Sequence, residues 1–409
     1  MKKRLYKRKG FYICLGVICL LGFLLGGFYY FRTPILIALF GKNAHPVVIV
    51  SGTWEEMGYQ VGSQADFAKG IRRTVSFIHK AFPPDEAKLY FDRAAPMIPQ
   101  SIMDQMKGLA RGLSDALSIS YDDAWRDVIA WNFFMPSTYI KSCTAFAVTS
   151  PGGKFIAHNT DQEYIHSLDG AVIIFKPDQG LGHPFASFFP PGFVGAGLAQ
   201  NHSGLTVVFN AAFPSERDYG LPPLMMVRKV MEECGSLEDT IQTFQSFIKE
   251  GGRFAHNGAL MTFIDFKTGE MACVELAPDR VEVKRPQKVG NKKFIAATNH
   301  YRLMPERNQR EEYNTSSYAR LERVEMLLTI KDTFTSKKSI LKILSDHDGQ
   351  EHGTNHTICR HKNLNFGTIS FHLFDDQFTL YYLLGNPCRY WKDPTILQTV
   401  RWKEMMEQG

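Results

Sequence analysis

Residues Ser142–Asp161 read "SCTAFAVTSPGGKFIAHNTD". Two apolar runs flank "SPGG", where Pro151 and Gly152 suit the second and third positions of a type II turn. Counting outward gives two strands of about seven residues, each roughly 20 Å long at ~3.3 Å per residue. The register returns Asn159, Thr160 and Asp161 beside Cys143. The stretch therefore reads as a β-hairpin that starts on a thiol and ends on a carboxylate.

A lone cysteine at a strand start is ordinarily a small buried hydrophobe. Breaking the Ser142–Cys143 bond would change that, because Cys143 would gain a free α-amine. Such an amine has a reference pKa of about 7.7–8.0. It can accept the proton of its own thiol, as the N-terminal amine does for a threonine nucleophile. Asp161 is then placed to hold the ammonium. Acyl transfer from an amide also needs donors aimed at the developing oxyanion. Asn210, ending "GLTVVFN", and Asn299, in "TNHY", offer neutral amides at strand ends. The plain alternatives stand beside these readings. The asparagines suit strand-end caps, Asp161 a turn, and Arg320 in "SSYAR" a surface helix.

Around the hairpin the pattern alternates between classes. "AVIIFK", "GLTVVFN", "ALMTFID", "EMACVEL", "RVEVK", "KFIAATN", "TISFHLF" and "QFTLYYLL" read as strands. Val47–Trp131 is mainly helical in texture. There, Thr53 and Glu56 form a capping-box pair, and Gly108 and Gly112 share one helix face. Helices are also expected at Pro222–Glu233, Leu237–Ile248, Ser316–Thr329 and Ser336–Ser345. Many strands with helices in separate blocks predict an α+β layered sandwich.

These blocks resemble, in order, the self-processing N-terminal-nucleophile cysteine hydrolases named for acyl-CoA:6-aminopenicillanic acid acyltransferase. More distant likenesses are the choloylglycine hydrolases and the acid ceramidase group. The residues that carry the resemblance are "VVIVSGTWEEMGYQVGSQA", "MKGLARGLSDALSISYDD", "SCTAF…HNTD", "FIDFKTGEMACVELAP", "AATNHY", "SSYARLER", "LSDHDGQEHGTNHTICRH" and "LGNPC". The resemblance implies a four-layer αββα sandwich and a self-cleaving amidase or acyltransferase acting on carbon–nitrogen bonds. It makes Cys143 the nucleophile, released by cleavage after Ser142, and Asp161 the partner of its amine. Asn299 and Asn210 become oxyanion donors. Arg320, with Arg323 as the other candidate, becomes a brace. His158 stands where bile-salt hydrolases carry an arginine, which argues against a bile-salt-like substrate. His158 and Asn159 are expected at the substrate, as is Phe193 in the apolar loop "FFPPGFVGAGLAQ". That loop either lines an acyl pocket or packs over the sheet. The implied organisation is a basic tail 1–10, an anchor 11–31, a linker 32–45, a helical pro-segment 46–142, a catalytic core 143–390 and a C-terminal tail 391–409.

The ends bound the setting. Six of the 47 basic residues lie between Lys2 and Lys9, and the remaining 41 match 41 acidic ones. A neutral body gives no electrostatic footprint for nucleic acid. "FYICLGVICLLGFLLGGFYYF", Phe11–Phe31, is 21 residues without a charge, and a membrane helix needs about 20. No A-x-A cleavage site follows, so an uncleaved anchor is expected rather than a signal peptide. Its basic flank belongs in the cytosol, with the catalytic body periplasmic, extracellular or lumenal.

Outside that stretch lie five cysteines, an odd number. Cys359 and Cys388 are a conceivable disulfide. His347, His352, His356 and His361 crowd around Cys359, but the spacing matches no standard zinc pattern, so no metal and no cofactor is expected. The partner is a small-molecule amide or acyl compound. Two other functions stay open: a lipid amidase or phospholipase B-like hydrolase, and a catalytically inactive anchored binding protein.

Overall fold

Strand alternation builds two sheets and faces them together. The computed structural model describes residues 44–81, 84–139, 142–163, 170–215, 218–255, 258–308, 311–330, 336–362 and 366–408. Among these, one sheet has eight strands in the order β1 (Val47–Gly52), β4 (Ala171–Pro177), β5 (Phe185–Phe189), β6 (Leu198–Asn201), β7 (Leu205–Ala211), β8 (Ala259–Asp265), β9 (Met271–Ala277) and β10 (Arg280–Lys284). The other has seven: β11 (Gln287–Val289), β12 (Lys292–Ala297), β2 (Ser142–Ser150), β3 (Gly153–Glu163), β13 (Phe366–Asp375), β14 (Thr379–Leu384) and β15 (Gln398–Arg401). Among the described strands of these two sheets, β1–β4 is the one parallel pairing.

Successive side chains point to opposite faces of a strand, and this alternation divides the apolar residues into three cores. Ala145, Ala147 and Ile156 meet Val172, Ile174 and Val208 between the sheets. Phe146, Val148 and Ala157 face the other way, onto α8 (Glu311–Thr329) and α9 (Lys337–Leu344). Ile173, Phe175 and Phe209 cover the outer face of the eight-stranded sheet. Against that face lie α1 (Trp54–Gly62), α2 (Ala65–Ala81), α3 (Pro84–Ala94), α4 (Gln100–Leu117), α5 (Tyr121–Tyr139), α6 (Pro223–Glu233) and α7 (Leu237–Lys249). The result is the four-layer αββα sandwich.

The capping box at Thr53 and Glu56 is present. Helices α1 and α4 approach until their backbones touch. A Cβ on Gly108 would lie 1.8 Å from the Glu55 carbonyl oxygen, and one on Gly58 would lie 2.2 Å from that of Gln105. Glycine is required at both places by space rather than by torsion.

Several expectations need correction. Pro151 and Gly152 do form the two-residue turn between β2 and β3. The positive φ, however, falls on Gly153 at +141°, so the turn is not type II. A Cβ there would meet the Phe155 ring at 2.8 Å. Val47–Gly52 opens the mainly helical segment as a strand. The apolar loop is shorter than 188–200, because β5 and β6 claim its two ends. Residues 391–409 are not a tail. β15 pairs with β14, and α10 (Trp402–Gln408) buries Trp402, whose indole N–H donates to Gln200 Oε1 at 2.8 Å. The expected anchor at 11–31 lies outside the described residues. Among those described, no helix is long and apolar enough to cross a membrane.

Candidate active site

The hairpin register places Thr160 opposite Cys143, with Asp161 opposite Ser142 and Asn159 opposite Thr144. Alternation then separates the side chains. Cys143 points to the same side of its strand as Ala145 and Ala147 and, at the strand's start, packs into the core that holds Phe193 and Phe209, whereas Asp161 and Asn159 follow Ala157 onto the face covered by α8 and α9. The carboxylate is therefore across the strand from the thiol instead of beside it.

The group that meets the Cys143 nitrogen is Asn299, two residues beyond the end of β12. The Cys143 N–H and the Ser142 hydroxyl both donate to Asn299 Oδ1, at 2.9 Å each. Asn299 is itself fixed from both sides. Its Nδ2 donates to the Ala211 carbonyl at 2.8 Å, and its backbone N–H donates to Ser317 Oγ of α8 at 2.7 Å. Arg320, one helical turn along from Ser317, is 1% exposed. Its Nη2 donates to Ser142 Oγ and Asn299 Oδ1 at 2.8 Å each. Its Nη1 donates to Thr144 Oγ1 at 2.7 Å and to the Cys143 carbonyl. One guanidinium thus clamps both sides of the Ser142–Cys143 peptide. Burial pulls its pKa down to about 10, with Asp161 pushing the other way, so it stays protonated at neutral pH.

Asp161 is fully buried between two cations. Arg320 Nη1 and Arg360 Nη1 each lie 3.7 Å from Asp161 Oδ2, and Thr368 donates to Oδ1 at 2.8 Å. Cys143 is also fully buried. Burial, then the charge of Asp161, pushes its thiol well above the ordinary range, while the Arg320 charge and, less strongly, the backbone N–H groups of Asp161 and Ala211 act in the opposite sense. In the intact chain the sulfur is a neutral thiol with an immobilised peptide bond at its back.

The other expected residues are placed differently. Asn210, one residue before the end of β7, has Nδ2 donating to the Ala297 carbonyl at 3.2 Å, and its buried Oδ1 has no hydrogen-bond partner. Both candidate oxyanion amides are therefore engaged by backbone carbonyls while the chain is uncut. Asn159 donates to the carbonyls of Leu344 and Ile358, at 2.9 and 3.0 Å, tying α9 and the following loop to β3. His158 is a buried inter-sheet link. Its Nε2 donates to the Phe209 carbonyl at 2.7 Å, Nδ1 lies 3.2 Å from Thr160 Oγ1, and burial lowers its pKa to about 4. Phe193 packs on Phe189 in the core that also takes in Cys143. Its loop is clamped by α5, where Asn132 accepts from Val194 N–H at 2.8 Å and donates to the Gly192 carbonyl at 3.1 Å. Arg323 serves elsewhere, paired with Asp346 and Asp348.

Sequence reasoning missed Ser317, Arg360 and Thr368. Ser317 and Arg360 stand inside quoted blocks, at "SSYAR" and "TICRH", but nothing in those blocks marks a partner far along the chain.

The geometry is thus a buried cysteine on a hairpin, with an asparagine and an arginine fixing the peptide bond before it. The family model described as acyl-coenzyme A:6-aminopenicillanic acid acyl-transferase matches residues 148–389, and the chain belongs to that family. The matched span begins five residues after Cys143. No curated protein matches significantly. Among solved structures, the Caenorhabditis elegans N-acylethanolamine-hydrolyzing acid amidase ortholog is 13% identical, covering 57% of this chain and 93% of its own, with a TM-score of 0.40. A variant of the Clostridium perfringens conjugated bile acid hydrolase is 13% identical over 64% of this chain and 93% of its own, with a TM-score of 0.42. Penicillin V acylase from Agrobacterium tumefaciens is 11% identical over 59% and 82%, with a TM-score of 0.34.

Proposed function

We propose that the chain is a cysteine amidase or acyltransferase acting on carbon–nitrogen bonds, and that it frees its own nucleophile by cutting between Ser142 and Cys143. The observation that carries this reading is the grip on that one peptide. Its N–H is held by Asn299, and Arg320 holds both flanking residues. In the first step the Cys143 sulfur adds to the Ser142 carbonyl carbon. The C–N bond breaks, the thiol proton passes to the Cys143 nitrogen, and a thioester remains. Water then hydrolyses the thioester, leaving a Ser142 carboxylate and a free Cys143 amine. That amine, held at Asn299 Oδ1, accepts the thiol proton in later turnovers. The substrate amide is attacked in the same way, its amine departs with a proton, and the acyl group passes to water or another acceptor. Asp161 acts at a distance as the counter-charge that orders Arg320 and Arg360, and Asn210 and Asn299 become oxyanion donors once cleavage loosens their present partners.

The test is intact mass and N-terminal sequencing of the wild type beside Cys143→Ala. A new terminus reading Cys-Thr-Ala-Phe in the wild type alone is the expected result. An uncut wild-type chain would sink the reading and favour a binding role. A lipid amide is the second substrate class, favoured by the buried pair of Phe189, at the end of β5, and Phe193 of the clamped loop. Turnover of N-acyl amides against phospholipids separates it from a phospholipase. We place the catalytic body across the membrane from the basic tail, anchored by 11–31. Protection of the body from protease added on the cytosolic side tests that placement.

A further inference from the structure

The loop between α9 and β13, together with the short helix after β14, brings four metal-ligating side chains to one point. The ligand atoms of His347, Cys359, His361 and Cys388 all lie within 4.8 Å of one another. His361 Nε2 stands 3.5 Å from Cys359 Sγ and 3.6 Å from Cys388 Sγ. A tetrahedral zinc ion with Zn–S of about 2.3 Å and Zn–N of about 2.0–2.1 Å sets S and N about 3.6 Å apart. The observed spacing is that of ligands around an ion.

Two further observations point inward. The buried His347 Nε2 has no hydrogen-bond partner. Its other ring nitrogen lies 3.2 Å from the Glu351 carbonyl. A ring that donates from Nδ1 to a backbone carbonyl presents an unprotonated Nε2, which is how metal-binding histidines are oriented. The loop is also shaped around the cluster. A Cβ on Gly353 would meet the Cys359 carbonyl oxygen at 2.3 Å, His361 Cδ2 at 2.6 Å and His347 Cδ2 at 2.9 Å. Spacing along the chain hides the site, because Cys388 lies 27 residues beyond His361. His352, which the chain places in the same crowd, is outside the cluster and exposed.

We propose that His347, Cys359, His361 and Cys388 form a tetrahedral structural zinc site. Two sulfur and two nitrogen ligands select zinc over harder cations. The site has a consequence for the cysteine centre. Arg360 sits between two of the ligands and carries its guanidinium to within 3.7 Å of Asp161. Zinc thus positions Arg360 beside Asp161.

The test uses the untagged full chain, made in zinc-containing medium and purified without chelator. Elemental analysis is expected to find about one zinc per chain, retained in His352→Ala and falling below about a tenth of that in Cys359→Ser and His347→Ala. Replacement by cobalt(II) is expected to give thiolate-to-metal charge-transfer absorption in the wild type, which decides the matter even where a ligand variant fails to fold. Trace zinc in the wild type would overturn the proposal. So would zinc retained in Cys359→Ser, or a Cys359–Cys388 disulfide in peptides from unreduced protein.

Discussion

Asn299 is one side chain with four jobs in the intact chain. It accepts from Cys143, Ser142 and Arg320, and it donates to Ala211. Removing it leaves the Cys143 N–H without its acceptor and frees the peptide to drift from the orientation that the sulfur needs. Asn299→Ala should therefore slow self-cleavage by about 10²–10³, the range for loss of one preorganised group at an acyl-transfer site. A time course of fragment appearance by mass spectrometry measures this. Cleavage at the parental rate would show that Asn299 merely caps β12. At this scale the sequence was legible in residue identity. Cys143, Asp161, Asn299 and Arg320 do converge on one place. It was not legible in roles. Asp161 pairs with arginines rather than with the Cys143 nitrogen, because a period of two turns it to the other face of the hairpin, and only the packed α8 shows that Asn299 takes its place.

Elements were readable wherever a local signal fixed them. The hairpin followed from Pro151 and Gly152, and α1 began at its capping box. β1, β5, β6, β11 and β15 were not read, because each has only three to six residues, and a run that short is marked as a strand only by the neighbour it pairs with. β1, for example, pairs with β4, 125 residues further on at Val47↔Val172. The α1–α4 contact tests how far sequence glycines report packing. Gly108→Val would drive a side chain into the Glu55 carbonyl, 1.8 Å from the new Cβ. A cost of at least about 1–3 kcal/mol is expected from overpacking alone. Gly70→Ala in α2 is the paired control. Its added Cβ meets nothing within 4 Å, so helix propensity should make it neutral or stabilising by up to about 1 kcal/mol. Urea unfolding of both, in a Cys143→Ala background, reads the difference. Equal effects would mean that the close helix contact has no energetic weight.

At the scale of the molecule, the two proposed products are interleaved. The first 142 residues supply β1 to the eight-stranded sheet and α5 to the loop at 190–197. Cleavage should therefore give fragments of 142 and 267 residues that co-elute under native conditions and separate only in denaturant. The same burial makes the sandwich sensitive to acid. Burial lowers the pKa of His158 and of His300 to about 4, whereas both return to about 6.5 when unfolded. Below 6.5 the unfolded chain binds protons that the folded chain refuses. The stability these histidines lend is complete above that pH and is lost as pH falls towards 4. For His158 the loss between pH 7 and pH 5 is on the order of 2 kcal/mol. Its neutral ring already has its partners in the Phe209 carbonyl and Thr160 Oγ1. A glutamine at 158 has no such titration, so the stability penalty of His158→Gln should shrink by that amount at pH 5. Urea unfolding of the parent and the variant at both pH values measures it, and a penalty that does not change with pH would place the acid-sensitive groups elsewhere in the fold.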